Sequence, residues 1–216
     1  MGCIVGFVSQ KGGVGKSTLA RLLAREAAAG GLSVKIADVD IQQGTAYQWA
    51  KRRAENGFEP EIRIETFNNI KTALKEANQF DVYIFDGAPH ASRDTLTIAK
   101  AANLIVIPTS QGRDDLDPSV LLGYDLLDAG ISKDRIVYAL VKVTDSDAEI
   151  AAARQYLEKA HFTVLQGELP VRTAYSQAHD VGRAVTEAPF PSLVKRADKL
   201  AQSLVDAVAA RMQEVA

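Results

Sequence analysis

The stretch Gln10-Lys11-Gly12-Gly13-Val14-Gly15-Lys16-Ser17-Thr18 constrains this chain more than any other. Ahead of it, Cys3-Ile4-Val5-Gly6-Phe7-Val8 has the length and apolar composition of a buried strand, and behind it Leu19-Ala20-Arg21-Leu22-Leu23-Ala24 reads as a helix. Strand, glycine loop and helix form the setting in which a P-loop works. Glycines let backbone N–H groups converge on phosphate oxygens with no Cβ in the way, and the helix N-terminus adds partial positive charge at the same place. Lys16 then reaches the β- and γ-phosphates of a nucleotide, the Ser17 hydroxyl is a ligand for Mg²⁺, and Gly12, Gly13, Val14, Gly15 and Thr18 complete the phosphate cradle. A glycine turn without a ligand is the competing reading, but Gly-Lys-Ser-Thr in this setting has few other uses.

Two further stretches carry carboxylates to the same edge. Ser33 to Asp40 reads as a second strand ending in Asp38 and Asp40, where doubly wound sheets bind ligand; a solvated strand end is the alternative. Asp81-Val82-Tyr83-Ile84-Phe85-Asp86 is an apolar strand ending in a carboxylate, as in a Walker B strand whose aspartate holds Mg²⁺. Gly87 follows directly, where a backbone N–H can approach the γ-phosphate. Two departures from the general pattern G-x-x-x-x-G-K-[ST] stand at the front of the loop: Gln10 replaces glycine, and Lys11 is a second lysine. Lys11 is too far back to serve the phosphate held by Lys16, so the natural hypothesis is that it serves another.

On these residues the chain resembles the deviant Walker ATPases, the ParA/MinD family, whose signature K-G-G-x-G-K-[ST] matches Lys11 to Ser17. The resemblance implies ATP and Mg²⁺ as cofactors and a sandwich homodimer in which Lys11 crosses to the partner's nucleotide. It matches Asp38, Asp40 and Gln42 to the D-x-D-P-Q motif, with Ile41 in place of proline, and gives Asp40 the task of orienting or activating the attacking water. Asp86, Gly87 and Pro89 resemble the D-x-x-P switch. Leu169 to Ala178 and Gly182 to Val185 are similar to the family's C-terminal region, which places Pro170 and Arg172 beside the nucleotide. No asparagine stands at Val141-Lys142-Val143-Thr144 to read adenine, so ATP rather than GTP rests on the resemblance.

The remaining readings bound the function. Net charge is -2, so any nucleic acid must be held by a local patch; Arg172, Arg183, Lys195, Arg196 and Lys199 are the candidates for DNA, with ordinary surface charge as the alternative. The single Cys3 excludes an internal disulfide or a cysteine cluster, and with it the nitrogenase iron protein, and fits a cytoplasmic location. His90, His161 and His179 lack metal-ligand spacing. No apolar run approaches the ~20 residues that span a bilayer, and no signal peptide or helix-turn-helix domain is expected ahead of the first strand. Trp49 packs or stacks on a base, and Lys51-Arg52-Arg53 reads as a solvated helix face. Asp117 reads as an N-cap with Pro118 in the first turn of its helix, and Leu200, Leu204, Val208 and Met212 make an apolar stripe that docks on the domain rather than on a membrane.

The expected fold is a single α/β P-loop NTPase domain over residues 1–216, a mostly parallel twisted sheet with helices on both faces. The expected function is an ATP-dependent switch for plasmid or chromosome segregation, with non-specific DNA binding and hydrolysis stimulated by a ParB-like centromere-binding adaptor. A same-family ATPase that positions a protein cargo, a membrane-associated division regulator and a metabolic P-loop synthetase are the alternatives.

Overall fold

The computed structural model describes residues 2–40, 45–89 and 92–215; Gln42 and His90 lie outside them. Seven strands are joined in one sheet in the order β3-β2-β4-β1-β5-β6-β7, and every pairing is parallel. They are β1 (Cys3–Phe7), β2 (Val34–Asp38), β3 (Arg63–Thr66), β4 (Val82–Asp86), β5 (Leu104–Thr109), β6 (Ile136–Val143) and β7 (Thr163–Pro170). The crossovers hold α1 (Lys16–Ala29), α2 (Thr45–Glu55), α3 (Ile70–Leu74), α4 (Ser92–Ala101), α5 (Arg113–Asp128) and α6 (Asp147–Lys159), and the chain closes with α7 (Thr173–Asp180) and α8 (Pro191–Val215).

Alternation along the strands divides the core in two. Val5, Phe7, Ile36, Ile84, Val106 and Ala139 face one way, onto α1, α2 and α8. Ala37, Tyr83, Phe85, Ile105, Ile107 and Tyr138 face the other way, onto α3 to α6. Both faces are therefore covered, which is why these strands read as continuous apolar runs. The edge strand β3 differs: its residues alternate between exposed and half-buried, as one wet face requires. The stripe on α8 is consumed by the first core, with Leu200 and Leu204 fully buried and Val208 nearly so. No helix among the described residues is long and apolar enough to cross a membrane.

Two local expectations are corrected. Gly112, not Asp117, is the N-cap of α5, so Asp117 and Pro118 lie within the helix. There the Asp117 carboxylate accepts from the Tyr156 hydroxyl at 2.7 Å and from Arg113 at 3.3 Å. Arg53 is not part of a solvated face. It is 1% exposed and makes a two-pronged ion pair with Glu187 at 2.7 and 3.0 Å. It also donates to the carbonyls of Glu59, Pro60 and Gly182. Trp49 lies beside it, fully buried, with its indole N–H on the Arg183 carbonyl at 3.0 Å, so the packing reading of this tryptophan holds. Charge alone made Arg53 look like surface; its i,i+4 offset from Trp49 is what turns it inward.

Removing one partner of a buried, hydrogen-bonded pair strands the other. Arg53→Met is expected to lower unfolding free energy by about 3–5 kcal/mol in urea denaturation; a loss below about 1 kcal/mol would show that the Arg53 contacts are redundant.

Candidate nucleotide site

The loop between β1 and α1 turns on glycines. Gly13 and Gly15 have φ of 72° and 106°, in the left-handed region that a side chain strains against. Gly15 is the N-cap of α1 and no side chain caps the helix, so its first N–H groups are left for an anion. Lys16 is 6% exposed and curls back over the loop, its ammonium 3.4 Å from the Lys11 carbonyl. Burial lowers its pKa, and Asp86 and Asp40 oppose that shift. A cavity of about 210 Å³ opens between this loop and the ends of β2 and β4, lined by Gly13 to Thr18, Arg21, Asp40, Gly87 and Pro89.

Parallel pairing brings the carboxylates Asp38 and Asp86 to the strand ends beside this cavity, which Asp40 lines. Asp86 lies level with Phe7 on one side and with Asp38 on the other. Burial pushes Asp86 up to about 6; its hydrogen bond from Ser17 pulls it down, and the neighbouring Asp38 adds to the rise. Among the described residues its Oδ1 is buried with no hydrogen-bond partner. An orphaned carboxylate oxygen beside a serine hydroxyl at a phosphate loop fits Mg²⁺, which favours oxygen ligands and keeps several of its waters. Among the described residues no group of three or more His, Cys, Asp or Glu is placed to hold a metal unaided, so such an ion would share its ligands with phosphate and water. Asp38 accepts from the Asp40 and Ala46 backbone at 3.0 and 3.3 Å and so fixes the turn that presents Asp40. Gly87 N–H donates to the Phe7 carbonyl at 3.1 Å, and a Cβ on Gly87 would sit 2.6 Å from that oxygen. Only glycine lets the segment after β4 lie against the loop strand.

Lys11 is not among the residues that line the cavity. Its ammonium is held by α5, on the Asp115 carboxylate at 2.9 Å and on the Asp114 carbonyl. That carbonyl is open because its helical partner would be the N–H of residue 118, which is proline. Asp115 is steadied by the Ser110 hydroxyl at 2.6 Å, and Gln10 reaches Asp125 at 3.4 Å. The acidic run read as capping and solvation thus docks the front of the loop.

A second cavity, of about 380 Å³, adjoins the first at Gly15, Thr18 and Lys142. Pro170 and Arg172 line it together with Val141, Tyr175 and His179. Lys142, at a φ of 56°, lines both cavities, in the stretch where an adenine-reading asparagine was lacking. The candidate DNA residues are not one free strip. Arg172 and Arg196 share the Asp145 carboxylate, Arg196 also faces Glu168 at 3.6 Å, and Arg183 stacks on Phe58 at 4.5 Å. Lys195 and Lys199 are exposed on α8. Arg21, Lys142, Asp115 and His179 are site residues that sequence reasoning missed; for Arg21 the signal was there, in its i,i+4 spacing from Ser17.

The family model of the CobQ/CobB/MinD/ParA nucleotide binding domain matches residues 5–186. The chain belongs to this family. No curated protein matches its sequence. Solved structures do match in fold. MinD of Pyrococcus horikoshii, complexed with Mg-ADP, has a TM-score of 0.77 at 16% identity over 98% of this chain and 99% of that one. Apo McdA of Cyanothece has a TM-score of 0.73 at 15% identity over 94% and 100%. The pNOB8 ParA bound to nonspecific DNA has a TM-score of 0.68 at 16% identity over 99% of each. This ParA/MinD-family ATPase is therefore similar in fold to all three over nearly its whole length.

His179 supplies a pH test of the second cavity. Burial pushes its pKa down to about 3, and Arg21 and Arg52 add to that. The folded chain keeps it neutral while the unfolded chain protonates it near the ordinary 6.5, so stability falls as pH drops from that value toward the folded one. His179→Gln is expected to flatten that slope, by at most about 1.4 kcal/mol per pH unit, in urea denaturation at stepped pH; an unchanged slope would place the histidine in water.

Proposed function

We propose that this chain is an ATP-driven switch for DNA segregation, monomeric at rest and a sandwich homodimer when ATP is bound. The observation that carries the reading is the division of labour between two lysines of one loop: Lys16 curls over the phosphate cavity and Lys11 lies outside it. A monomeric phosphotransferase has no evident use for the second, whereas a partner's triphosphate has.

In this mechanism the N–H groups of Gly13 to Thr18 and the Lys16 ammonium hold the β- and γ-phosphates. Ser17 and, through water, Asp86 would hold Mg²⁺, which when bound neutralises charge on the phosphate oxygens. Asp40, presented to the cavity by Asp38, orients a water in line with the γ-phosphorus. The water's oxygen bonds to phosphorus as the bond to the β-bridging oxygen breaks, its proton passes to solvent or to Asp40, and ADP and phosphate leave. Gly87 and Pro89 sense loss of the γ-phosphate because they line the same cavity. Lys11 completes the partner's site and stabilises its transition state. Hydrolysis is slow until a centromere-binding adaptor sets the final geometry. The ATP dimer binds non-specific DNA through Lys195 and Lys199, with Arg172 and Arg196 contributing once Asp145 is outcompeted by phosphate. The fold is compatible with this reading, being similar to that of a ParA bound to nonspecific DNA, and an α8 stripe already buried in the core supports it over membrane association.

Lys16→Ala is expected to lose binding of a fluorescent ATP analogue. Lys11→Ala should retain that binding yet stay monomeric by light scattering with ATP, and Asp40→Ala should accumulate as an ATP-bound dimer that turns over poorly; a Lys11→Ala dimer of normal affinity would remove the cross-site role. Reversing charge at Lys195 and Lys199 should weaken DNA binding and reduce its salt slope by about 1 per residue. An unaltered slope would move the DNA face elsewhere.

A further inference from the structure

Among the described residues Arg21 is a buried cation of the phosphate cavity that the proposed cycle leaves without work. It follows Ser17 by four residues on α1 and so faces the same way, one turn further from the phosphates. It is 6% exposed, lines the phosphate cavity with Lys16 and Asp40, and its Nε is buried with no hydrogen-bond partner among the described residues. Asp86 and Asp38 are the carboxylates whose fields act on it, and Arg52 opposes them. At the end of β4, just before the cavity-lining Gly87, Oδ1 of Asp86 is also buried and unpartnered among the described residues. Trp49 backs the guanidinium, its ring centroid 5.7 Å away. A buried arginine with no ion pair is costly unless the charges it faces need it.

We propose that Arg21 is the resident counter-cation of the carboxylate edge, compensating Asp38 and Asp86 while no divalent ion is bound. Asp38, Asp40 and Asp86 bring three negative charges to one end of the sheet; Lys142 at the cavity is exposed, so Lys16 and Arg21 are its buried cations. With Arg21 in place a free divalent ion gains little by entering, and only the added charge of a polyphosphate makes its entry favourable. The chain thus takes its metal together with a nucleotide. Arg21 is a positioning residue: it acts through the carboxylates.

The test uses metal alone, so it is separable from the nucleotide reading of the same cavity. Thermal unfolding is followed through Trp49, the single tryptophan, in chelator and then in millimolar Mg²⁺ without nucleotide. Wild type is expected not to respond. Arg21→Met should melt roughly 5–10 °C lower in chelator and regain more than half of that loss in Mg²⁺, and Arg21→Lys should behave as wild type. A loss in Arg21→Met that Mg²⁺ does not restore would make Arg21 a packing residue against Trp49 and overturn the proposal. Should Arg21→Met not fold, the wild-type titration still decides: stabilisation of wild type by Mg²⁺ alone would equally overturn it. Failure of Mg-ATP to bind wild type would sink the proposed function and leave this inference standing.

Discussion

The parallel register of β4 between β1 and β2 is what the rest of the structure depends on. It places Phe7, Asp86 and Asp38 level at one edge, so the chain leaves three neighbouring strands at the same height. From Phe7 it turns into the glycine loop, from Asp38 toward Asp40, and from Asp86 into Gly87. A shift of one residue in a parallel strand would turn Asp86 into the opposite face of the core and replace it with Phe85. That slip is opposed by the whole apolar set of β4, whose alternate residues Ile84 and Phe85 belong to different cores.

Electrostatics at this edge follow from that register. Carboxylates on adjacent parallel strands cannot move apart, so beyond the effect of burial Asp38 raises the pKa of Asp86, and Asp38 is itself raised by burial and by the charge of Asp40. The compensating charge comes from one helix. Lys16 covers the loop end and Arg21 the sheet end of α1, and both are themselves destabilised as cations by burial. Neither sign is comfortable without the other, which keeps the site preorganised. Trp49 ties this helix to α2, and Arg53 with Glu187 ties α2 to the segment before α8, so the site rests on both ends of the chain.

The fold and the phosphate loop were legible because their signals are local. Apolar runs such as Leu104 to Thr109 announce buried parallel strands, and glycine with Lys-Ser-Thr announces the loop. What stayed hidden depends on partners far apart in sequence. Arg53 reads as surface until Glu187, Pro60 and Gly182 are seen around it. The acidic run at 114–117 reads as a cap, yet Asp115 spends its carboxylate on Lys11, about a hundred residues earlier in the chain. Helix starts are also misjudged when proline is taken as a first-turn residue: Pro118 lies beyond the first turn, where its missing N–H opens the Asp114 carbonyl.

That open carbonyl bears on how a signature lysine can serve two places. In the cycle proposed above, Lys11 must leave α5 before it can cross to a partner. Its contacts are half-exposed, with side-chain exposures of 39% for Lys11 and 33% for Asp115. An ion pair so open to water stabilises by only about 0–1 kcal/mol, and a charge-assisted bond to a carbonyl adds on the order of 1.5–3 kcal/mol. A triphosphate offers a lysine far more negative charge than one carboxylate, within a site that excludes water as the two subunits close. The dock is therefore strong enough to keep Lys11 ordered in a lone chain and too weak to hold it against a nucleotide-loaded partner. A buried Lys11–Asp115 pair would have locked the monomer, and an undocked Lys11 would have entered the dimer with its full side-chain entropy still to lose.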